Sequence, residues 1–551
     1  MAEGGSRLIP AAHQAPLPLD RLLVPVGAPG AGDRMDLDVV VVGAGPAGLS
    51  LAIELARLSK QAGRELAIGV LEKAGALGEH CLSGAVVNPR AFRDLFTEDE
   101  TALPFRSPVT RESVYLLTAG RALRLPTPPS MRNRGNVIAS VCEIVRWLGA
   151  KAENLGVNIF TGYPAQSLLV RDNTVAGVRT TPAGLDRDGK PGSGYTASTD
   201  LVARVTALAE GSRGMLARAW LEWQRIGSTN PQIYALGVKE LWETKRPLDR
   251  IVHTLGWPLS RDTFGGSFMY PLEPNLVALG LVVGLDYPDA GLDIQVLFQR
   301  MKLHPLFREY LEGGEMLEWG AKTIPEGGYY SVPARRSGSG VVLLGDAAGF
   351  VDVPSLKGIH YAMQSGVFAA RAIFQALGRD AADAERLAEY DRLVNSSFIM
   401  HDLHRTRNMR LAFKRGFVMG GVQAGLMTLT GGRVPGNRIT VEADAAVPRA
   451  AKPSGESFMP DGKLTFSKVD AVFKSGNATR DTIPQHVVVG NAVDQRVARF
   501  YSHVCPAGVY EVDGSGLRVN APNCVDCKAT DVLGPTWLPR EGGSGPKYKR
   551  M

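Results

Sequence analysis

The segment Asp36-Leu37-Asp38-Val39-Val40-Val41-Val42 ends in consecutive valines, a β-branched run that predicts a strand buried on both faces. After it come Gly43-Ala44-Gly45-Pro46-Ala47-Gly48, and then Leu49, Ala52, Ile53, Leu55 and Ala56, whose spacing supplies the apolar stripe of a helix. Leu66 to Leu71 predicts a second strand, which ends at Glu72. Two later apolar runs, Ala203 to Ala209 and Ser339 to Leu344, each lead into a turn of small residues. Tyr510 to Val519 carries Asp513-Gly514-Ser515-Gly516 at its middle and predicts a hairpin. Gly416 to Thr430 differs from all of these. It is uncharged, apolar and glycine-rich, and shorter than the ~20 apolar residues a membrane-spanning helix needs.

A chain of 551 residues exceeds one hydrophobic core. At about 150 residues per domain it predicts three or four. Apolar residues at 44% and charged residues at 21% are those of an ordinary folded protein. The net charge of +7 is mild for this length and does not indicate nucleic acid. Met1 to Arg34 is rich in Pro, Gly and Ala, carries neither the apolar core of a secretory signal nor a clear transit-peptide pattern, and reads as a loose arm. Charge is unevenly spread. Between Asp402 and Glu442 there is no acidic residue, while Arg405, Arg407, Arg410, Lys414, Arg415, Arg433 and Arg438 are basic. An apolar plug flanked by cations fits insertion at a membrane surface, with 404–438 as the contact segment. It fits equally a buried helix pair with a solvated basic flank.

The strand, glycine turn, helix and second strand ending in an acid form one unit that predicts dinucleotide binding. Gly43 permits the tight turn, Gly45 lets a pyrophosphate approach, and Gly48 allows close helix packing. Pro46 and Ala47 open the helix whose N-terminus faces the phosphates, and Glu72 is placed for ribose hydroxyls. Ser339 to Phe350, with Asp346 and Gly349 after its strand, resembles the second FAD fingerprint of glutathione-reductase-type and hydroxylase-type flavoproteins, where the Asp binds the ribityl chain. The intervening Ala203 to Gly214 is similar to the strand and turn those proteins place between their fingerprints. Taken singly, Asp346 also reads as a helix N-cap. No second glycine fingerprint follows, which leaves room for a protein electron donor.

From about Asp36 to Tyr548 the chain resembles the electron transfer flavoprotein:ubiquinone oxidoreductase family. The matching segments include His80-Cys81-Leu82-Ser83-Gly84-Ala85, Gly237 to Glu243, Gly280 to Tyr287, Val353 to Gly358 and Glu541 to Pro546. The resemblance implies an enzyme that passes electrons from reduced electron transfer flavoprotein through FAD to ubiquinone. It implies a peripheral or monotopic position on the cytoplasmic face of a bacterial inner membrane. Gly358 joins the FAD-contacting residues, and Phe264-Gly265-Gly266-Ser267-Phe268 becomes the quinone-site turn, with Gly265 and Gly266 near a quinone carbonyl. Without the resemblance those two glycines read as a hairpin turn. The implied fold is α/β: a discontinuous Rossmann-like FAD-binding domain over 35–462, an inserted α+β quinone-binding domain, and a ferredoxin-like iron–sulfur module over 463–551.

That family holds its 4Fe-4S cluster on four cysteines, one before Pro and three in C-x2-C-x2-C. This chain has Cys505 before Pro506, then Cys524 and Cys527, with Thr530 where the fourth would stand. Four readings stay open: an oxygen ligand from Thr530 or Asp531, a three-iron cluster, a vacant site, or a zinc site on the three cysteines and His503. Cys81 and Cys142 read as structural thiols. Electron transfer requires no acid–base residue and none is assigned as catalytic; His360 is either a proton supplier to quinone or structural. A geranylgeranyl-reductase-like or Fix-type FAD oxidoreductase without a working cluster, and a redox-inactive FAD-binding interaction protein, are the alternative functions.

Overall fold

The computed structural model describes residues 7–84, 86–96, 103–379, 382–434, 436–451, 458–514 and 516–551. Residues 1–6 of the arm, Ala85, Pro435 and Ser515 lie outside the described residues. Two sheets organise the fold. The first is nine-stranded and contains β1 (Leu23–Pro25), β2 (Ala31–Val42), β3 (Ile68–Glu72), β6 (Asn158–Thr161), β7 (Ala165–Arg171), β8 (Thr174–Thr180), β9 (Ser198–Leu208), β15 (Val341–Leu343) and the two-residue strand Ser337–Gly338 that pairs with β15. Its order is β1-β7-β8-β9-β2-β3-β6, with β15 against the end of β9. The second is seven-stranded, in the order β14 (Glu315–Pro325), β10 (Tyr234–Glu243), β13 (Leu276–Gly284), β12 (Gly265–Glu273), β11 (Ile251–Gly256), β4 (Glu112–Leu117) and β5 (Ala122–Leu125).

The valine run behaves as its composition dictates. Val39 to Val42 are buried and pair in parallel with Ile68 to Leu71 on one side and with Val205 to Leu208 on the other. The polar half of β2 continues N-terminally as an exposed extension from Ala31. Helix α1 (Pro46–Gln61) buries Leu49, Leu51, Ala52, Ile53, Leu55 and Ala56 against this sheet and against α3 (Ile359–Gly378). Each fully buried Leu or Ile contributes about 1.5–3 kcal/mol. The two helices approach closely because α3 has Gly366 at the crossing, where a Cβ would lie 2.2 Å from the Ala47 carbonyl oxygen.

From Arg7 onward, the N-terminal segment is not the loose arm its composition suggests. Leu23–Pro25 pairs in parallel with Leu168–Val170, Leu8 and Leu22 are buried, and Leu8 and Arg449 exchange backbone hydrogen bonds. The side chain of Gln14 donates to the Val532 carbonyl. Low sequence hydropathy is outweighed there by a few anchored apolar residues and an open sheet edge.

In the second sheet, Glu240 on β10 and Lys302 form a fully buried ion pair at 2.8 Å, and Trp242 Nε1 and Gln299 also donate to the carboxylate. The basic stretch forms helices, among them α4 (Phe417–Leu429). Among the described residues no helix is long and apolar enough to cross a membrane. Arg410 and Lys414, expected on the basic flank, instead turn inward: Arg410 binds Glu326 at 2.6 Å and Asp286 at 2.9 Å, and Lys414 binds Asp286 at 2.7 Å. These two cations keep the Asp286 carboxyl below the usual range despite its burial.

The C-terminal segment contributes α5 (Gln495–Val504), a hairpin of β16 (Tyr510–Asp513) and β17 (Gly516–Val519), and α6 (Ala529–Leu533). The hairpin returns the chain beside Cys505, because the Asn520 N–H donates to the Val509 carbonyl.

Candidate functional site

A cavity of about 860 Å³ runs between the two sheets, a size suited to a large cofactor with room beside it. Its wall includes Gly43, Gly45, Pro46, Ala47, Glu72, Asp346 and Gly358 at one end, and Gly265, Gly266 and the helix α4 residues Phe417, Gly421, Ala424 and Thr428 at the other. The fingerprint glycines have separable reasons. Gly43 has φ +108°, and a Cβ there would lie 2.5 Å from the Ala209 carbonyl oxygen. A Cβ at Gly48 would lie 2.1 Å from the Gly43 carbonyl oxygen, so Gly48 seats the helix on the turn. A Cβ at Gly45 would meet no protein atom within 4 Å; it would point into the cavity.

Helix α1 starts at Pro46 with no side-chain cap and no acid in its first turn. Its free N–H groups and partial positive charge therefore remain for an anion. The Glu72 carboxylate accepts from the Ala44 N–H at 3.2 Å and the Ala74 N–H at 2.9 Å, which fixes it at the end of β3. Asp346 is the second residue of a single 3-10 turn (Gly345–Ala348), and burial pushes its carboxyl up to about 6. Gly358 sits where a Cβ would lie 3.6 Å from Asp346 Oδ1. Gly349 does not line the cavity: it closes the 3-10 turn with φ +80°.

Sequence reasoning missed the cations. Lys73, Lys239, Lys322, Lys357 and Lys528 all line the cavity. Burial pulls Lys239 and Lys357 down to about 8, and burial together with Lys73 and Lys322 pulls Lys528 down to about 7. Their amines donate to backbone or amide oxygens: Lys239 to the Ser83 carbonyl at 2.9 Å, Lys357 to Asn133 Oδ1 at 2.7 Å, Lys528 to the Arg213 carbonyl at 2.9 Å. They come from five separate segments, so no local spacing betrays them. The open glycine, the uncapped helix and these cations fit a dinucleotide carrying a pyrophosphate.

Gly265 and Gly266 are not a turn. They are the first residues of β12, and a Cβ would lie 2.2 Å from the Val282 carbonyl oxygen at Gly265 and 2.5 Å from the Thr254 carbonyl oxygen at Gly266. Strand packing alone therefore demands glycine at both, and both still face the cavity. Helix α4 closes this end with Phe417 and the small residues Gly421, Ala424, Gly425 and Thr428 inward, while Val418 (73% exposed), Met419, Val422 and Leu426 face outward and Leu429 (86%) is exposed where it borders the cavity. Arg405, Arg415 and Arg433 are exposed around it. His360 is not in the cavity wall; it packs on Tyr361 with ring centroids 3.9 Å apart, and burial pushes it down to about 3.

Cys505, Cys524 and Cys527 are buried, without disulfides, and close enough that charge on Cys505 and on Cys524 each raises the Cys527 thiol, after burial. The Val509 N–H donates to Cys505 Sγ and the Asp526 N–H to Cys524 Sγ, both at 3.4 Å. Buried unpaired thiols with N–H donors fit an iron–sulfur cluster. The loop adjoins the cavity directly: the Thr323 N–H donates to the Cys527 carbonyl, and Lys322 Nζ lies 3.3 Å from the Asp526 carbonyl oxygen. His503 turns Nδ1 to the Ala290 carbonyl at 3.4 Å, and among the described residues its ring does not cluster with the three thiols, so a zinc site with His503 is not assembled. Cys142 Sγ donates to the carbonyls of Cys81 and Met551, a structural role.

Among the described residues, His486, Cys524 and Asp526 place potential ligand atoms within 4.8 Å of one another. The Asp526 carboxylate is already taken, by Lys73 at 2.5 Å, Arg540 at 2.9 Å and Trp537 Nε1 at 3.0 Å. That carboxylate is the centre of a salt-bridged knot between the cysteine loop and the first sheet.

Residues 234–324 match a family model described as ETF-QO, ubiquinone-binding. Residues 462–549 match one described as electron transfer flavoprotein-ubiquinone oxidoreductase, 4Fe-4S. The chain is 39% identical to the mitochondrial electron transfer flavoprotein-ubiquinone oxidoreductase of Dictyostelium discoideum, over 94% of this chain and 91% of that one. It is 38% identical to the Pseudomonas aeruginosa protein of the same name, over 94% of this chain and all of the other. Among solved structures it is similar in fold to a geranylgeranyl bacteriochlorophyll reductase-like protein from Thermoplasma acidophilum, with TM-score 0.57 and 18% identity over 75% of this chain and 95% of that one. It is also similar to aklavinone-11 hydroxylase solved with FAD and aklavinone, with TM-score 0.51 and 19% identity over 71% and 70%.

Proposed function

The chain belongs to the electron transfer flavoprotein-ubiquinone oxidoreductase family, and from that premise we propose a route for electrons through its own residues. FAD lies with its pyrophosphate at Gly45 and the start of α1, its ribose at Glu72 and its ribityl chain at Asp346 and Gly358. An iron–sulfur cluster sits on Cys505, Cys524 and Cys527. Ubiquinone reaches the cavity end at Gly265 and Gly266, and α4 rests on the cytoplasmic surface of a membrane. Reduced electron transfer flavoprotein is the donor. A bound flavin exchanges electrons singly or in pairs and a cluster singly, which matches a one-electron donor to a two-electron acceptor.

The residues do the positioning. Lys322 and Lys528 stand between the cysteine loop and the cavity, where their charge favours negative charge arriving on either side. Trp537 lines the cavity, bonds Asp526, and has Lys528 Nζ 4.6 Å from its ring centroid. The single observation that carries the reading is the continuity of one cavity from the Gly43–Gly48 turn to α4, with Lys528, the neighbour of Cys527, in its wall. The test is anaerobic. Stoichiometric reduced electron transfer flavoprotein should bleach the flavin absorbance, and a ubiquinone analogue should restore it. A flavin that the donor leaves oxidised would overturn the reading.

A further inference from the structure

This inference rests on the iron–sulfur reading of the three cysteines. A cubane cluster has an iron at each of four corners, and a protein that holds every corner supplies a ligand to each. Here the thiols account for three. Thr530 stands three residues after Cys527, where a fourth thiolate would continue the spacing, and its hydroxyl oxygen lies 3.4 Å from that of Tyr510.

Most neighbouring candidates for a fourth ligand are occupied or turned away. Asp531 gives one oxygen to Arg213 at 2.5 Å and Arg218 at 2.9 Å, and the other to the Trp537 N–H at 2.9 Å. Asp526 is held by Lys73, Arg540 and Trp537. His503 turns one ring nitrogen to a backbone carbonyl and does not cluster with the thiols. His486 is the exception: both its ring nitrogens are buried without a hydrogen-bond partner, but its ligand atom clusters within 4.8 Å with Cys524 and Asp526 and not with Cys505 or Cys527, which places it on the Cys524 side. At the position of the missing thiolate is the neutral hydroxyl of Thr530, a weak donor beside a thiolate, on a half-buried residue that water can reach.

We propose that this chain holds its cluster by three thiolates only, with the iron at the Thr530 corner ligated by water or another small exogenous donor, so that this iron is removable. Oxidation releases it in a balanced step: a dipositive four-iron core gives one electron to ferricyanide and loses one ferrous ion, leaving a monopositive three-iron core on the same three thiolates.

The experiment uses the full chain, purified anaerobically with its flavin, treated with ferricyanide and EDTA, and read by iron and sulfide per FAD and by low-temperature EPR. Iron should fall from about four to about three per FAD with sulfide unchanged. The oxidised three-iron signal should appear, and ferrous iron with a thiol reductant should reverse both. Thr530→Ala should behave as the parent, and Thr530→Cys should resist the loss. Complete iron retention by the parent chain overturns the proposal whether or not Thr530→Cys folds. So does retention that disappears in His486→Ala, which would make His486 the fourth ligand. A flavin-loaded protein with neither iron nor sulfide instead overturns the iron–sulfur reading itself.

Discussion

A side chain at Gly45 would enter the cavity without touching the protein, whereas one at Gly48 would collide with the Gly43 carbonyl oxygen. The two substitutions should therefore fail differently. Gly45→Val should fold with a thermal midpoint near that of the parent apoprotein yet retain no FAD, checked by absorbance of the purified protein; Gly48→Val should lose several kcal/mol of stability. Asp346 ties stability to pH. Its carboxyl is raised from 3.8 to about 6 by burial, so the folded apoprotein disfavours the ionised form. The apoprotein then loses stability as pH rises from about 4 to about 6, by roughly 1–3 kcal/mol. Asp346→Asn should be more stable than the parent apoprotein at neutral pH and equal to it near pH ~4 in denaturant titrations, while binding FAD more weakly. Glu240 and Lys302 offer a third case. Glu240→Leu leaves a buried ammonium unpaired and should cost about 3–5 kcal/mol, and adding Lys302→Met should recover most of it.

At the scale of elements, α4 has a small-residue face in the cavity and an apolar face in solvent, the two-sided pattern expected of a helix lying at an interface. Its cationic rim is Arg405, Arg415 and Arg433, each contributing about 1 kcal/mol near anionic headgroups. Arg410 and Lys414 are not part of that rim, since they neutralise Asp286 and Glu326 beneath the helix. Val422→Asp with Leu426→Asp should abolish sedimentation with vesicles containing anionic lipid, and raised salt should weaken binding of the parent in part. Arg410→Glu should instead lower the unfolding midpoint. Unchanged vesicle binding in the double aspartate variant would remove α4 from the membrane contact.

Across the whole molecule, the Asp526 knot ties the cysteine loop to Lys73, the residue after Glu72, and to Arg540. The strand that ends at Glu72 and the cysteine loop are thereby held in one register. Asp526→Ala would leave the buried Arg540 without its counter-charge, at a cost of about 3–5 kcal/mol. It should also slow flavin reduction by the donor while the FAD content stays intact. Stopped-flow reduction at matched flavin occupancy checks this, and an unchanged rate would confine the knot to stability.

Legibility in the sequence followed the range of the forces involved. The strand, glycine turn, helix and terminal acid were legible because turn sterics, helix periodicity and buried β-branched runs act over a few neighbouring residues, as Val39–Val42 and Gly43–Gly48 illustrate. The cysteine spacing and the hairpin between its parts were local in the same sense. Only the tertiary structure could decide which charges turn inward. Arg410 and Lys414 look like neighbours of Arg415 along the chain, yet partners on distant strands and loops pull them under the helix. The five cavity lysines converge from separate segments, and Gly265 and Gly266 owe their glycine to carbonyls of Val282 and Thr254 across the sheet. Those outcomes depend on partners brought close by folding, and the electrostatic and steric terms that select them act through space rather than along the chain.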